Sequence, residues 1–399
     1  MPQNTAPKYT RSAPLSRNRL EELKLDRWGY ADSGFFLNKR GRFEFKGSRY
    51  PLSGEVPYLR EFMWEQIEAT PDHPAPPRVP INASDIPECV VNKEFLIDLK
   101  DSRMSYTTDG YERLFRSHGH TVQEIGALRE GKVPDRVIDV VIWPASQADV
   151  IKIVESAVKN NVCLVPFGGG TNVSLALQLP STESRMICSV DTSQMKSILW
   201  LDEENLLARV QSGIAGVDLE NELARRGYCV GHEPDSMEFS SLGGWVATRA
   251  SGMKKNVYGN IEDLLVHVSV VTPQGLLQKN FQAPRVSTGP DIHHFILGSE
   301  GTIGVVTEVT LKIRPLPKCR KFGCILFHTF EEGVSFLREV AKEKIIPASI
   351  RLVDNLQMKF GLALRQDSGS FLGGFADIIK RMYLLKVKVI EIHYYLIEI

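Results

Sequence analysis

The sequence lacks most of the features that would settle a function at once. No stretch of eighteen or more apolar residues occurs in its 399 residues, so no membrane-spanning helix is expected. Its opening residues are mostly polar, with Arg11, Arg17 and Arg19, and carry no apolar signal core. Lysine plus arginine equals aspartate plus glutamate at 48 each. A nucleic-acid binder usually shows a basic excess, so no nucleic-acid partner is expected. The six cysteines (Cys89, Cys163, Cys188, Cys229, Cys319, Cys324) are scattered, with no C-x-x-C pair. Several sit in apolar runs as small core residues, which fits a reducing compartment and argues against both zinc and a disulfide framework. Also missing are G-x-G-x-x-G after the first strand, G-x-x-x-x-G-K-S/T and G-x-S-x-G, which leaves Rossmann, P-loop and nucleophile-elbow readings poor.

What is present begins with an ordinary globular profile, 43% hydrophobic and 24% charged, long enough for two or three domains. Half of the 22 prolines fall before residue 90, which predicts an irregular arm with short helices over the first 80 or so residues. Helical signals return between Ile81 and Arg129, with Ser84 or Asp85 as caps, and Arg113, Arg116 and Arg129 read as a solvated face. A β-branched run, Val137-Ile138-Asp139-Val140-Val141-Ile142-Trp143, then ends at Pro144. Ser146 is placed to cap a helix whose Val150, Ile153, Val154 and Ala157 recur at helical spacing, and Asn160-Asn161 stops it. The apolar run Val162-Cys163-Leu164-Val165 follows as a buried strand, and it feeds Pro166-Phe167-Gly168-Gly169-Gly170-Thr171-Asn172. An isolated Gly-Gly-Gly is more often a surface turn. At the carboxyl end of a strand, however, such glycines let backbone N–H groups converge on an anion such as phosphate.

Residues 186–190 read as a further strand, 198–201 and 206–211 as a strand pair, and 216–226 as a helix closed by Gly227. The densest run of small and polar residues comes next. In it Ser240 and Ser241 can cap a helix starting near Leu242-Gly243-Gly244, whose exposed N–H groups would favour a phosphate. Thr248, Arg249, Ala250 and Ser251 are placed on that same helix, suited either to a ligand lying along it or to tight packing. Residues 264–272 alternate as a strand that turns at Pro273-Gln274-Gly275. Ser299-Glu300-Gly301-Thr302-Ile303-Gly304 makes a tight bend into a strand over Val305–Lys312. No further ligand joins His293 and His294 at a metal-site spacing, so no metal is expected.

Taken in order, the Pro166–Asn172 loop, Asp235-Ser236-Met237-Glu238-Phe239-Ser240-Ser241, Thr248-Arg249-Ala250-Ser251 and Glu300-Gly301-Thr302-Ile303-Gly304-Val305-Val306 resemble the FAD-binding domain of the vanillyl-alcohol oxidase and p-cresol methylhydroxylase superfamily. Gly-His-Glu-Pro-Asp-Ser (231–236), Thr-Arg-Ala-Ser-Gly-Met-Lys-Lys-Asn (248–256) and Ser-Thr-Gly-Pro-Asp-Ile-His-His-Phe (287–295) resemble its peroxisomal ether-lipid branch. The resemblance implies an α+β chain in three parts: an irregular and helical extension over 1–134, a two-subdomain FAD-binding fold over 135–315, and the start of an antiparallel-sheet cap domain over 316–399. It implies FAD as the cofactor, with the pyrophosphate on the glycine loop and the other three segments along the rest of the molecule. It further implies exchange, on a flavin adduct, of the acyl chain of an acyl-dihydroxyacetone phosphate for a long-chain fatty alcohol. Arg381 would stand near the substrate phosphate. A homodimer, peripheral membrane contact and a peroxisomal address follow from the same likeness. In the N-terminal peroxisomal pattern opened by Arg19-Leu20, however, Asp26 stands where His or Gln belongs, and the closing Ile-Glu-Ile is no S-K-L signal.

After Lys386 the likeness stops. The family's catalytic tyrosine and histidine cluster find no match, and His393, Tyr394 and Tyr395 are assigned no catalytic role. A C-terminally truncated form is expected, with apolar sheet surface and an unpaired edge exposed, whose catalytic residues are unknown. The rival readings are an FAD-dependent 2-hydroxyacid dehydrogenase and a non-catalytic fragment that interacts with a full-length enzyme.

Overall fold

A computed structural model of the chain describes residues 19–50, 52, 54–70, 77–281, 283–366 and 391–398. The chain divides into two compact units, Arg11–Ala31 with Pro77–Leu316, and Met1–Thr10 with Asp32–Pro76 and Pro317–Ile399. The stretch predicted as one N-terminal extension is thus shared between them.

The larger unit holds two sheets. In the first, the strands Val140–Trp143, Ile187–Asp191 and Cys163–Phe167 run parallel in that spatial order, with Ser105–Thr107 antiparallel at one edge. The helix Gln147–Lys159 supplies the crossover between Val140–Trp143 and Cys163–Phe167. Ser146 caps it as expected, its side chain accepting from Asp149 N at 3.2 Å, and Val150, Ile153, Val154 and Ala157 are all buried. Full burial of a Val or Ile side chain contributes about 1.5–3 kcal/mol, so this stripe, not propensity, holds the helix. Its core cluster takes in Val140, Ile142 and Val190 of the first sheet and Val271 and Val305 of the second.

The second sheet is antiparallel throughout, in the order Gly275–Leu277, Leu265–Thr272, Val305–Lys312, Leu207–Gln211, Ile198–Asp202. Leu265–Thr272 was expected to alternate between a wet and a dry face. Instead seven of its eight residues are buried, with the helix Gln147–Lys159 packed against it.

Two local expectations are corrected. Ser84 and Asp85 lie within a short 3₁₀ turn opened by Asn82, and the following helix, Lys93–Asp101, is capped by Asn92 through Phe95 N at 2.9 Å. Arg113 and Arg116 form no solvated face, since both are buried, and Arg129 is half-buried. Arg113 Nε donates to Ile138 O at 2.6 Å and its Nη2 to Pro87 O at 2.7 Å, so its charge is spread over backbone carbonyls.

In the smaller unit, Gly34–Leu37, Phe43–Lys46 and Gly54–Val56 form an antiparallel meander. The helices Leu59–Ile67 and Asn355–Ala363 meet through Phe62 and Phe360, whose ring centroids are 5.3 Å apart. A second antiparallel sheet places Glu391–Glu398 between Arg320–Phe327 and Ser349–Val353. The alternating tail is therefore a central strand, paired along both sides. On Arg320–Phe327, Phe322 is 72% exposed. Arg381 lies outside the described residues.

Candidate functional site

At the carboxyl end of Cys163–Phe167 the chain enters residues 168–172, and there a cleft of about 360 Å³ opens. Its walls are this loop with residues 173–177, the segment leading into the helix Leu242–Thr248, and the bend before Val305–Lys312. The glycines are required mainly by close approach. A Cβ on Gly168 would collide with Ser241 Oγ, and one on Gly169 would lie 2.8 Å from Ser240 Cα and closer still to Phe239 O. Of the three, Gly170 alone has positive φ, at 68°, and a Cβ there would lie 2.7 Å from the Phe167 ring. The loop is pressed against the backbone of the neighbouring segment, which joins two distant stretches into one wall.

Among the described residues, the N–H groups of Gly169, Gly170, Thr171 and Asn172 have no acceptor within the protein. Buried or half-buried backbone donors rarely stay open unless a ligand or water meets them, so this row is a cradle for an anion. The helix start behaves in the opposite way. Leu242 N donates to Ile214 O at 3.0 Å, Gly243 N to Ser212 O at 2.7 Å and Gly244 N to the capping Ser241 Oγ at 3.2 Å. The expectation that these N–H groups stand open for a phosphate is corrected, because the preceding chain folds back and takes them.

The structure brings together most of the four predicted segments. Pro166 through Asn172 all line the cleft, as do Ser236, Ser240, Ser241, Thr248, Ala250, Glu300, Gly301, Gly304, Val305 and Val306. Ser174 Oγ donates to Glu300 Oε1 at 2.7 Å and ties the loop to the bend. Other predicted residues point elsewhere. Met237 is buried beside Gly216, and Phe239 packs on Tyr30 with ring centroids 5.1 Å apart. Thr302 and Ile303 line an adjoining hollow that shares Pro166, Gly301, Gly304 and Val305 with the cleft. Asp235 and Glu238 are absent from the lining. The helix stops at Thr248, and Arg249 caps it in the left-handed region at φ 50°. Arg249 to Ser251 are thus not helical: Arg249 pairs with Glu262 at 3.5 Å, and Ser251 Oγ donates to Asn260 Oδ1 at 2.8 Å.

Sequence reasoning missed Thr192, Ser212, Trp245 and Ala247 as lining residues. Thr192 follows the last residue of a parallel strand, so the rule that ligands sit at strand carboxyl ends could have found it. Among the described lining residues, Glu300 is the one ionisable side chain. The cleft offers a ligand backbone donors, hydroxyls and apolar walls; its described lining has no histidine, lysine or arginine. Beneath it, His232 is wholly buried, edge-on to Trp245 with ring centroids 4.9 Å apart, and burial depresses its pKa to about 4. No described group bonds either of its nitrogens. His293 belongs to no metal cluster among the described residues.

Residues 138–279 match the FAD-binding domain family, and residues 316–392 match the C-terminal domain of FAD-linked oxidases. The chain is 47% identical over 92% of its length to alkyldihydroxyacetonephosphate synthase of Caenorhabditis elegans, of which it spans 61%. It is 35% identical over 73% of its length to alkyldihydroxyacetonephosphate synthase of Dictyostelium discoideum, of which it spans 46%. The fold superposes on a solved alkyldihydroxyacetonephosphate synthase with a TM-score of 0.84 at 29% identity, over 94% of this chain and 70% of that one.

Proposed function

We propose, on the premise that this chain belongs with the FAD-dependent flavoproteins, that residues 168–172 seat the FAD pyrophosphate and that the chain acts in ether-lipid synthesis. The observation that carries the first part is the row of open N–H groups at Gly169, Gly170, Thr171 and Asn172. A diphosphate offers acceptor oxygens at the spacing of such a row, and the glycines let it approach the backbone. The hydroxyls of Ser236, Ser240 and Thr248 and the apolar faces of Trp245, Val305 and Val306 then border the remainder of the cofactor.

The reaction proposed is the one its relatives' name implies: an acyl-dihydroxyacetone phosphate exchanges its acyl chain for a long-chain fatty alcohol. FAD, when bound, supplies the reactive ring that splits one hard substitution into two easier steps. The residues of the cleft bind and orient, and they exclude water from the buried side. Peroxisomal placement, a homodimer and peripheral membrane contact belong to the same proposal.

The deciding experiment is the visible spectrum of the purified chain before and after denaturation. A flavin band that passes into the filtrate on denaturation supports a non-covalent FAD site, and alkyl exchange with labelled hexadecanol then tests the activity. A folded, monodisperse, colourless protein that stays colourless when incubated with FAD overturns the cofactor reading. A yellow protein without exchange activity overturns the catalytic one and favours a non-catalytic flavin-binding chain.

A further inference from the structure

Arg116, on the segment expected to face solvent, is among the largest fully buried side chains described. Its Nε and Nη2 both lie 2.9 Å from Asp191 Oδ2. Its Nη1 donates to Glu112 O at 3.1 Å and pairs with the Glu112 carboxylate. The guanidinium carbon stands over the rings of Trp143 and Phe167 at 5.3 and 5.7 Å from their centroids. Trp143, Phe167 and Asp191 are the last residues of the three parallel strands. One planar cation therefore joins all three carboxyl ends where the glycine loop departs. Trp143 Nε1 adds a bond to the same Asp191 oxygen at 3.2 Å.

From there the contact passes into the loop. The Phe167 ring fills the space that a Cβ on Gly170 would need. Downstream of Arg116, a Cβ on Gly119 would lie 2.6 Å from Asn172 O at the far end of the loop, and His120 N donates to Asn172 O at 2.8 Å. Both ends of the donor row rest on this one segment.

We propose that Arg116 is a positioning residue for the glycine loop and sets the affinity for FAD without touching it. The proposal rests on the reading of residues 168–172 as the pyrophosphate seat. Without the fork, Asp191 is left as a buried carboxylate short of partners and the strand ends lose their common tie. The row of N–H groups then spreads over several shapes, and binding has to select one of them.

The control is built into the same sheet. Arg136 and Asp139 form another buried pair, 2.5 Å apart, at the amino ends of the strands, where Asp139 also accepts from Ile187 N at 2.7 Å. Arg116→Met and Arg136→Met should lower the melting temperature of the apoprotein alike. FAD dissociation constants are read by flavin fluorescence well below both melting temperatures, together with hydrogen exchange of residues 168–172 in the apoprotein. Arg116→Met should weaken FAD on the order of tenfold or more, the scale on which supporting residues act, and speed exchange in the loop. Arg136→Met should do neither. Equal FAD affinities and equal loop exchange in the two variants overturn the proposal. Should Arg116→Met fail to fold, Arg116→Lys keeps the cation facing Asp191 but gives up the fork and the flat stack. A several-fold weaker dissociation constant then supports the proposal, and wild-type affinity overturns it. Failure of the wild-type protein itself to bind FAD is a different result, and it overturns the reading of the loop.

Discussion

Gly169→Ala isolates the claim that this loop is glycine-rich because it touches another backbone. The new Cβ would lie 2.8 Å from Ser240 Cα and 2.9 Å from the Phe239 carbonyl carbon, where ordinary contact begins at 3.4 Å. The Phe239 carbonyl oxygen would stand closer still, so the loop, or the segment it leans on, must retreat by on the order of 1 Å. Neither neighbour is the free end of a flexible side chain, so the movement is a backbone movement. Overpacking of this kind costs roughly 1–3 kcal/mol. If the cost falls on the binding-competent shape of the loop, FAD affinity drops by roughly 5- to 150-fold, at 1.4 kcal/mol for each tenfold. Flavin fluorescence titration reads that change directly, with apoprotein melting as the parallel measurement. Gly126→Ala is the comparison: this glycine lies within the helix Val122–Arg129, and no heavy atom stands within 4 Å of its added Cβ. It should stabilise by about 0.5–1 kcal/mol and leave FAD affinity alone. Wild-type affinity in Gly169→Ala would refute the close-approach argument, because no loop pressed on Phe239 and Ser240 could absorb a methyl group unchanged.

Other tests reach the scaffold and the buried charges. Ser146→Ala removes the cap of the crossover helix and should cost about 1 kcal/mol, a melting-temperature loss of roughly 2–4 °C by calorimetry. Burial holds Glu220 protonated up to about pH 7, against the opposing pull of the Val230 and Gly231 N–H groups. Its folded pKa lies above the unfolded one, so its ionisation erodes stability as pH climbs from about 4.5 to 7. Glu220→Gln keeps an acceptor for both N–H groups and should melt above wild type at pH 8, with the gap closing towards pH 5. The buried rings of His232, His267 and His293 work the other way, each with its pKa pushed down to about 4 by burial. The unfolded chain takes up their protons first, so stability should fall as pH drops from about 6.5 to 4. His267→Phe should make that acid limb shallower in a melting-temperature profile.

Where a feature depends on neighbours in sequence, it was legible. Val150, Ile153, Val154 and Ala157 declare their helix by spacing alone, and Ser146 and Asn160 bracket it. The glycine loop falls at a strand end because a βαβ pattern ends there. What escaped reading depends on partners far away in sequence. Arg116 looks like any surface arginine until Asp191, 75 residues on, is placed beside it. The N–H groups of Leu242 and Gly243 look open until Ile214 and Ser212 supply carbonyls. Arg249 ends its helix in the left-handed region with no glycine or asparagine to announce the stop. The alternating tail gave a strand, but its central position comes from pairing with both Arg320–Phe327 and Ser349–Val353.

The chemistry of the cleft divides labour in a way that the sequence resemblance alone does not specify. Residues 168–172, 236–241 and 300–306 meet through backbone contact and small side chains, and Glu300 is the one ionisable group on the described lining. A wall of that kind fixes where a cofactor lies and keeps water off one side of it. Its described lining carries no histidine, lysine or arginine, and the Glu300 carboxylate is engaged by Ser174 Oγ at 2.7 Å. Substitutions in this wall should therefore register as changes in FAD affinity and leave the turnover of fully loaded protein nearly unchanged. Apart from Glu300, the described lining offers no ionisable side chain for the proton transfer that the proposed exchange needs, and a search for further catalytic side chains belongs outside this wall.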